Sequence, residues 1–427
     1  MMGARKANPG SAPVADGKLG ANPAAASVAV VGTGVVGLAA ALGCAQRGLH
    51  VHLIGPAPHA RRKPPESTSE FDARIYAIAR ASRALLEEQK VWSQIDPARV
   101  CPIERMRVFG DDGGEIAFDA QAVGVEELAV ICEESEILRA LWLGCSMAPS
   151  IEHVVGEFES ASFSARGPAA LESRVAPATG PAVRVHLRDG SVREVDLLLG
   201  ADGKRSTVRA AGGFNASERS FAQTAFVANF ACAQPHRGTA YQWFTDEGVV
   251  ALLPLPGDFV SLVWSAPNAL AAQLDSLSDG QFAQRVAARS AHTLGELDLH
   301  GRRHAFALEG ISVDCMVRPG LALLGDAAHV VHPLAGQGLN LGLQDVSEFL
   351  VQLSRREPWR SIGDGVWLRR YERARAEPIG LMRGTVDGLA TLFGAHDARV
   401  QRIRNWGMSA VNAIAPLKHA LIRHALG

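Results

Sequence analysis

The chain has 427 residues, too many for one ordinary core; at about 150 residues per domain it predicts two or three. Its composition, 47% hydrophobic and 20% charged, is that of a globular protein, and a formal net charge of −1 gives no ground for nucleic-acid binding. Six cysteines with no C-x-x-C pair argue against a disulfide scaffold or a zinc site and point to thiols in a reducing cytoplasm.

Residues 1–26 are rich in Ala, Gly and Pro, lack the apolar stretch of a secretory signal, and read as a disordered tail. No run of about 18 apolar residues follows, so no membrane-spanning helix is expected. The Val-rich run SVAVV at 27–31 predicts a buried parallel strand. GTGVVG at 32–37 and a helix over 38–48 come next, then a second strand, HVHLI, at 50–54. Together they form a βαβ unit.

The Pro-rich, charged stretch 56–70 predicts a surface loop, and 81–89 a helix. Residues 106–119 alternate on either side of Asp-Asp-Gly-Gly, the pattern of a hairpin. Helical spacing returns over 134–143, a second hairpin falls in 183–199, and 221–265 is strand-like. Residues 269–298 read as helical, 321–345 as strand, Gly-rich loop and helix, and 366–427 as mostly helical. The order predicts an α/β fold: a parallel-sheet nucleotide domain, interrupted by an antiparallel-sheet domain and followed by helices.

Gly32, Gly34 and Gly37 have the G-x-G-x-x-G spacing after a strand and at the start of a helix. Such glycines make a tight turn, let a pyrophosphate approach the backbone, and let helix pack on sheet. The helix N-terminus then faces the phosphates. The fingerprint also expects an acidic residue at the end of the second strand, to bind ribose. Gly55 stands there instead. Asp202 and Gly203 end a second apolar strand, where α/β sheets bind ligands. In 321–345, Gly325 and Asp326 end a third, Gly336 and Gly338 permit close backbone approach, and a helix opens near Leu339 and Asn340. His329 and His332 are three residues apart with no third ligand, so no metal site is expected.

The segments GTGVVG, FDARIYAIARAS (71–82), GADGKRSTVR (200–209), TAYQWFTDEGVVALLPL (239–255), GDAAHVVHPLAGQGLNLGLQD (325–345), LRRYERARA (368–376) and RNWGM (404–408) resemble the class A flavoprotein aromatic hydroxylases, which have the para-hydroxybenzoate hydroxylase fold. The finer resemblance is to the FAD-dependent hydroxylases of ubiquinone biosynthesis, and it spans nearly all of 27–427.

The resemblance implies a Rossmann-like FAD-binding domain (27–102, 126–212 and 308–375) and an antiparallel-sheet substrate domain (103–125 and 213–307). Helices would follow at 376–427. Gly32, Gly34 and Gly37 would hold the FAD pyrophosphate. Asp202 and Gly203 would serve FAD and NAD(P)H, Gly325 and Asp326 the ribityl–pyrophosphate region, and Arg74 the cofactor. Gly336 and Gly338 would shape the loop, and the backbone N–H groups of Leu339 and Asn340 would face the flavin pyrimidine edge. His332, Pro333 and Tyr241 are the candidates near substrate. FAD is the implied cofactor, NADPH or NADH the co-substrate, and a polyprenylated phenol the hydrophobic aromatic substrate.

Such a substrate implies a cytoplasmic protein that meets the inner membrane face, or a biosynthetic complex, peripherally. The apolar and basic residues of 406–426 are the candidate surface. Two other readings stay open: a flavin-binding accessory protein of that complex without turnover, and a hydroxylase of a small soluble phenol.

Overall fold

The computed structural model describes residues 26–57, 70–110, 114–164, 183–332 and 337–394. At its centre is a six-stranded sheet in the order Val317–Arg318, Leu321–Leu323, Leu197–Gly200, Ser27–Val31, His50–Ile54, Ile151–Val154. All neighbours are parallel except the first pair. Parallel strands of this kind are buried on both faces, which is why Val28, Val30, Leu53, Leu198, Leu199 and Leu323 are all inaccessible to solvent. Helix Val35–Ala45 packs between helices Glu134–Met147 and Gly338–Ser354. It is apolar all round because it has protein on every side.

The second large sheet has eight strands, in the order His329–Val330, Leu297–Val313, Ala216–Cys232, Phe259–Pro267, Gly248–Leu255, Thr239–Thr245, Arg105–Phe109, Glu115–Asp119. Its pairings are antiparallel except that of Thr239–Thr245 with Arg105–Phe109. One face carries Phe226, Phe230, Tyr241, Trp243, Leu252 and Trp264 and packs on helices Asn268–Ser276 and Asp279–Arg289 through Leu274, Phe282 and Val286. Each such side chain, fully buried, contributes about 1.5–3 kcal/mol. The opposite face, with Ala240, Leu253 and Leu255, meets Cys101, Ile103 and Ile131 of the small sheet formed by Ile75–Ala79, Ala129–Glu133 and Val100–Ile103. That small sheet links the two large ones.

The single helical stretch expected over 269–298 is two helices. Ser278 stops the first and caps the second: its Oγ accepts from Gln281 N–H while the Gln281 side chain reaches back, a capping box. After Arg289 the chain turns and enters the 17-residue strand Leu297–Val313. The C-terminal helix Gly365–Gly394 buries Trp367, Leu368, Tyr371 and Arg375 in its first turns. Of the tail expected over 1–26, residues 1–25 lie outside the described residues, as does the surface expected over 406–426.

Candidate active site

A cleft of about 1360 Å³ runs along the carboxyl ends of the parallel strands, lined also by Phe306 and Leu308 of the eight-stranded sheet, Tyr76 of the small sheet, and Glu157, Phe158 and Arg188 at the edge of a further three-stranded sheet, Phe158–Phe163, Val183–Leu187 and Val192–Val195. It exceeds the roughly 300–1,000 Å³ of most small-ligand sites, as a dinucleotide requires. The first glycine-rich turn forms one wall. Gly32 has φ +118°, its N–H donates to Ile54 O at 2.9 Å, and a Cβ there would lie 2.2 Å from Ala201 O. A Cβ on Gly37 would lie 2.0 Å from Gly32 O. These two glycines are required by the fold itself. Gly34 differs: a Cβ on it would meet nothing within 4 Å. Gly34 also lines the cleft at the N-cap of the helix, where no side chain caps and no acidic residue occupies the first turn. The helix N–H groups are therefore presented to an open cradle, which fits a diphosphate.

At the end of the second strand the site departs from the usual fingerprint. Gly55 has φ +147°, and a Cβ there would lie 3.1 Å from Thr33 Cγ2 and 3.3 Å from Thr33 Oγ1. Thr33 in turn donates to Pro56 O at 2.7 Å. Backbone and threonine thus fill the space from which an acidic side chain would project.

Asp202 lines the cleft, but its carboxylate is engaged. Oδ2 accepts from Thr207 N–H (2.7 Å) and Val208 N–H (3.1 Å), and Oδ1 accepts from Ser206 Oγ (2.5 Å). Its role in the apo chain is to fix the turn that places Gly203 and Lys204 at the cleft. The buried Arg209 ties this turn to the next motif, donating to Lys204 O at 2.7 Å and Ala327 O at 2.9 Å.

Asp326 is reached by solvent through the cleft, yet the protein around it raises its carboxyl above the usual range; His329, Arg74 and Lys204 pull the other way. Behind it lies a buried network that sequence reading missed. Asp345 Oδ2 accepts from Gly325 N–H at 2.8 Å and from His329 Nε2 at 2.7 Å, while Oδ1 accepts from Arg375 Nε at 2.7 Å. Burial alone would raise the Asp345 carboxyl, but His329 and Arg375 override it and hold it below the usual value. Arg375 also donates to Leu341 O at 3.2 Å, and Tyr371 donates to Leu323 O at 3.1 Å. The C-terminal helix therefore braces the turn that carries Asp326.

Arg74 lines the cleft together with two residues the sequence did not single out, Tyr76 and Glu134. Glu134 Oε1 accepts from Arg74 at 3.3 Å and from Tyr76 OH at 3.3 Å. Burial, with Glu134 beside it, pushes the Tyr76 phenol above its ordinary value. Gly338 and Leu339 line the cleft at the start of helix Gly338–Ser354. Asn340 is buried, and its side chain links that helix to the small sheet, accepting from Ala79 N–H at 2.9 Å and donating to Ala77 O at 2.8 Å.

The three substrate-side candidates do not converge. Tyr241 is a correction: it stands on the face of the eight-stranded sheet packed against the two helices, stacked with Trp243 at 5.7 Å, because odd-numbered positions of that strand point away from the cleft. Its neighbours Ala240 and Phe244 point the other way. His332 is buried beside Phe221, with Nε2 2.6 Å from Gln223 Oε1. Pro333 and Gly336 lie outside the described residues.

A parallel sheet with an open phosphate cradle, joined to an antiparallel sheet across one long cleft, defines a dinucleotide-binding fold with a second, antiparallel domain. The FAD binding domain family matches residues 159–378. The 3-demethoxyubiquinol 3-hydroxylase of Escherichia coli is 31% identical over 94% of this chain and 98% of its own length. Ubiquinone hydroxylase UbiL of Rhodospirillum rubrum is 33% identical over 98% of this chain and 94% of its own. Among solved structures, PqsL, a probable FAD-dependent monooxygenase from Pseudomonas aeruginosa, shares the fold with a TM-score of 0.71 at 22% identity, covering 90% of this chain and 99% of that one. HpxO of Klebsiella pneumoniae, complexed with FAD and uric acid, shares it with a TM-score of 0.69 at 18% identity, over 93% and 96%. The chain belongs to the FAD-dependent monooxygenase family that includes the ubiquinone hydroxylases.

Proposed function

We propose that this chain hydroxylates the ring of a polyprenylated phenol on the route to ubiquinone, with FAD as cofactor, NADPH or NADH as reductant, and O2 as oxygen donor. Similarity to two ubiquinone hydroxylases over nearly the whole chain supports the substrate class. The observation that carries the chemistry is the cradle at Gly34, open toward the cleft beneath an uncapped helix N-terminus. Bound FAD supplies hydride acceptance from the nicotinamide and activation of O2.

The chain's own residues bind, orient and exclude water. Gly32 and Gly37 shape the turn, and Gly34 admits the diphosphate. Gly203, Asp326 and Arg74 line the same cleft and would border the diphosphate. The N-terminus of helix Gly338–Ser354, at Gly338 and Leu339, lines the cleft and would direct positive dipole toward the flavin pyrimidine edge, where it would stabilise negative charge. Val36, Leu324, Val330 and Val331 supply apolar walls that keep water from the reacting region. The eight-stranded sheet would cover the substrate with strand Leu297–Val313, whose Phe306 and Leu308 line the cleft. His332 remains a candidate beside that space.

Among the described residues no helix is long and apolar enough to cross a membrane. Peripheral contact through 406–426 is therefore part of the proposal, supported by the apolar and basic pattern of that segment alone. The test is turnover by the FAD-loaded chain with a short-chain prenylated phenol and with its unprenylated counterpart. Substrate-stimulated NAD(P)H oxidation, matched by a product heavier by one oxygen atom and favouring the prenylated ring, is expected. Preference for the unprenylated phenol would overturn the substrate class. NAD(P)H oxidation without ring product from either would overturn the function.

A further inference from the structure

Four cationic side chains, Arg74, Arg139, Arg188 and Lys204, line the cleft among the described residues. Each is already paired with a carboxylate that lines it too. Arg74 pairs with Glu134 at 3.3 Å, Arg139 with Glu136 at 2.8 Å, Arg188 with Glu157 at 2.9 Å, and Lys204 with Glu309 at 2.9 Å. Asp202 and Asp326 add two further carboxyl groups. A ligand with a doubly charged diphosphate thus enters a cleft whose cations are all engaged. The ordinary source of extra affinity, an acidic residue toward ribose, is replaced by Gly55 in a left-handed backbone with Thr33 against it.

Glu134 and Glu136 are the least exposed of the four partner carboxylates, at 15% and 17% against 70% for Glu157 and 51% for Glu309. Tyr76 donates to the same Glu134 oxygen as Arg74, which fixes the carboxylate in place. The remaining inner pair, Arg139–Glu136, is local to one helix, three residues apart. Arg74 and Lys204 both act on Asp326 in the cleft, and of the two only Arg74 has a partner carboxylate that is mostly buried, 15% exposed against 51%.

We propose that Glu134 masks Arg74 from the diphosphate, so that FAD is an exchangeable ligand of this chain and Glu134 sets its affinity. The proposal rests on the FAD reading above and concerns how tightly the cofactor is held. Backbone N–H groups of the glycine turn and the helix dipole supply most of the binding. With Glu134 made neutral, Arg74 is free to form a charge-assisted bond to phosphate.

The test is a set of titrations with FAD, ADP, adenosine and riboflavin on the full chain freed of flavin. Glu134→Gln should tighten FAD and ADP by about tenfold, the worth of one charge-assisted hydrogen bond, and leave adenosine and riboflavin unchanged. The gain should vanish in the double variant Arg74→Gln/Glu134→Gln. Glu194→Gln, which removes an equally charged partner at the distant pair Arg184–Glu194, should change nothing. Unchanged or weaker FAD binding by Glu134→Gln, or an equal gain for adenosine and riboflavin, would overturn the proposal.

Should Glu134→Gln not fold, the double variant Arg74→Gln/Glu134→Gln decides: it should bind FAD and ADP within about threefold of the unaltered chain, and a larger loss would overturn the masking. FAD that survives gel filtration at full occupancy and ignores Glu134 would refute this inference and leave the functional reading intact. Failure of every variant to bind FAD would refute both.

Discussion

Replacing Asp345 with Asn should destabilise the chain far more than its single-atom change suggests. Asp345 has no solvent exposure and Arg375 only 4%. The two carboxylate oxygens accept three hydrogen bonds, from Gly325 N–H at 2.8 Å, His329 Nε2 at 2.7 Å and Arg375 Nε at 2.7 Å. An amide offers one acceptor oxygen. Whichever way it turns, its NH2 faces either the guanidinium or the Gly325–His329 pair, donor against donor. One charged bond is lost at about 1.5–3 kcal/mol, and removing a partner from a buried ion pair costs about 3–5 kcal/mol. The two overlap, so the expected total is about 3–5 kcal/mol.

Urea unfolding of the flavin-free chain at neutral pH measures it. The pH dependence supplies a second check. The folded Asp345 carboxyl is held below its ordinary value: burial opposes this, but His329 and Arg375 prevail. Its contribution is therefore fully present above the unfolded value near 3.9 and is lost as pH falls through the lower folded value. The unaltered chain should lose this component below about pH 4, and Asp345→Asn should lack it. A neutral-pH loss under about 1 kcal/mol, with the same acid limb in both proteins, would refute the idea that this network braces the Asp326 turn.

Three other outcomes follow from the same geometry. Gly37→Ala forces a Cβ to 2.0 Å from Gly32 O and should unfold or severely destabilise the chain, whereas Gly34→Ala, with nothing within 4 Å, should keep its urea midpoint and weaken FAD binding; equal midpoints for the two would contradict the assignment of fold and ligand roles. Asp326→Ala should leave the midpoint intact, since its raised carboxyl gains nothing from ionisation, and should lower FAD affinity or turnover; unchanged binding and turnover would remove Asp326 from the site. Gly55→Glu should cost about 1–3 kcal/mol, because a side chain at φ +147° also crowds Thr33, and should not tighten FAD; tighter binding at unchanged stability would mean that the usual ribose contact can be restored.

The glycine turns were legible because their chemistry is local: spacing alone states which backbone must approach which neighbour. The buried parallel strands were legible for a similar reason, as short Val- and Leu-rich runs that end in Gly or Asp. Tyr241 was not. Six of the seven residues of Thr239–Thr245 are buried, so alternation carries no signal about which face meets the cofactor. The break at 277–278 was present in the sequence as Ser278 followed three residues later by Gln281, an entry signal that the helical periodicity on both sides obscured. The Asp345 network was hidden for a different reason. Asp345 and Arg375 lie 30 residues apart on separate helices, and only their packing shows that one neutralises the other. Glu134 is similar: in sequence it is a helix-opening acid, and it becomes part of the cofactor cleft only when the small sheet sets it beside Arg74.

The central claim is ring hydroxylation with oxygen taken from O2. It is tested most directly by turnover of the FAD-loaded chain under isotopically labelled O2, with NADPH or NADH and a short-chain prenylated phenol. The account predicts a hydroxylated product that carries one labelled oxygen atom per NAD(P)H consumed. A hydroxylated product whose new oxygen comes from water, or NAD(P)H consumption that yields only hydrogen peroxide, would contradict it.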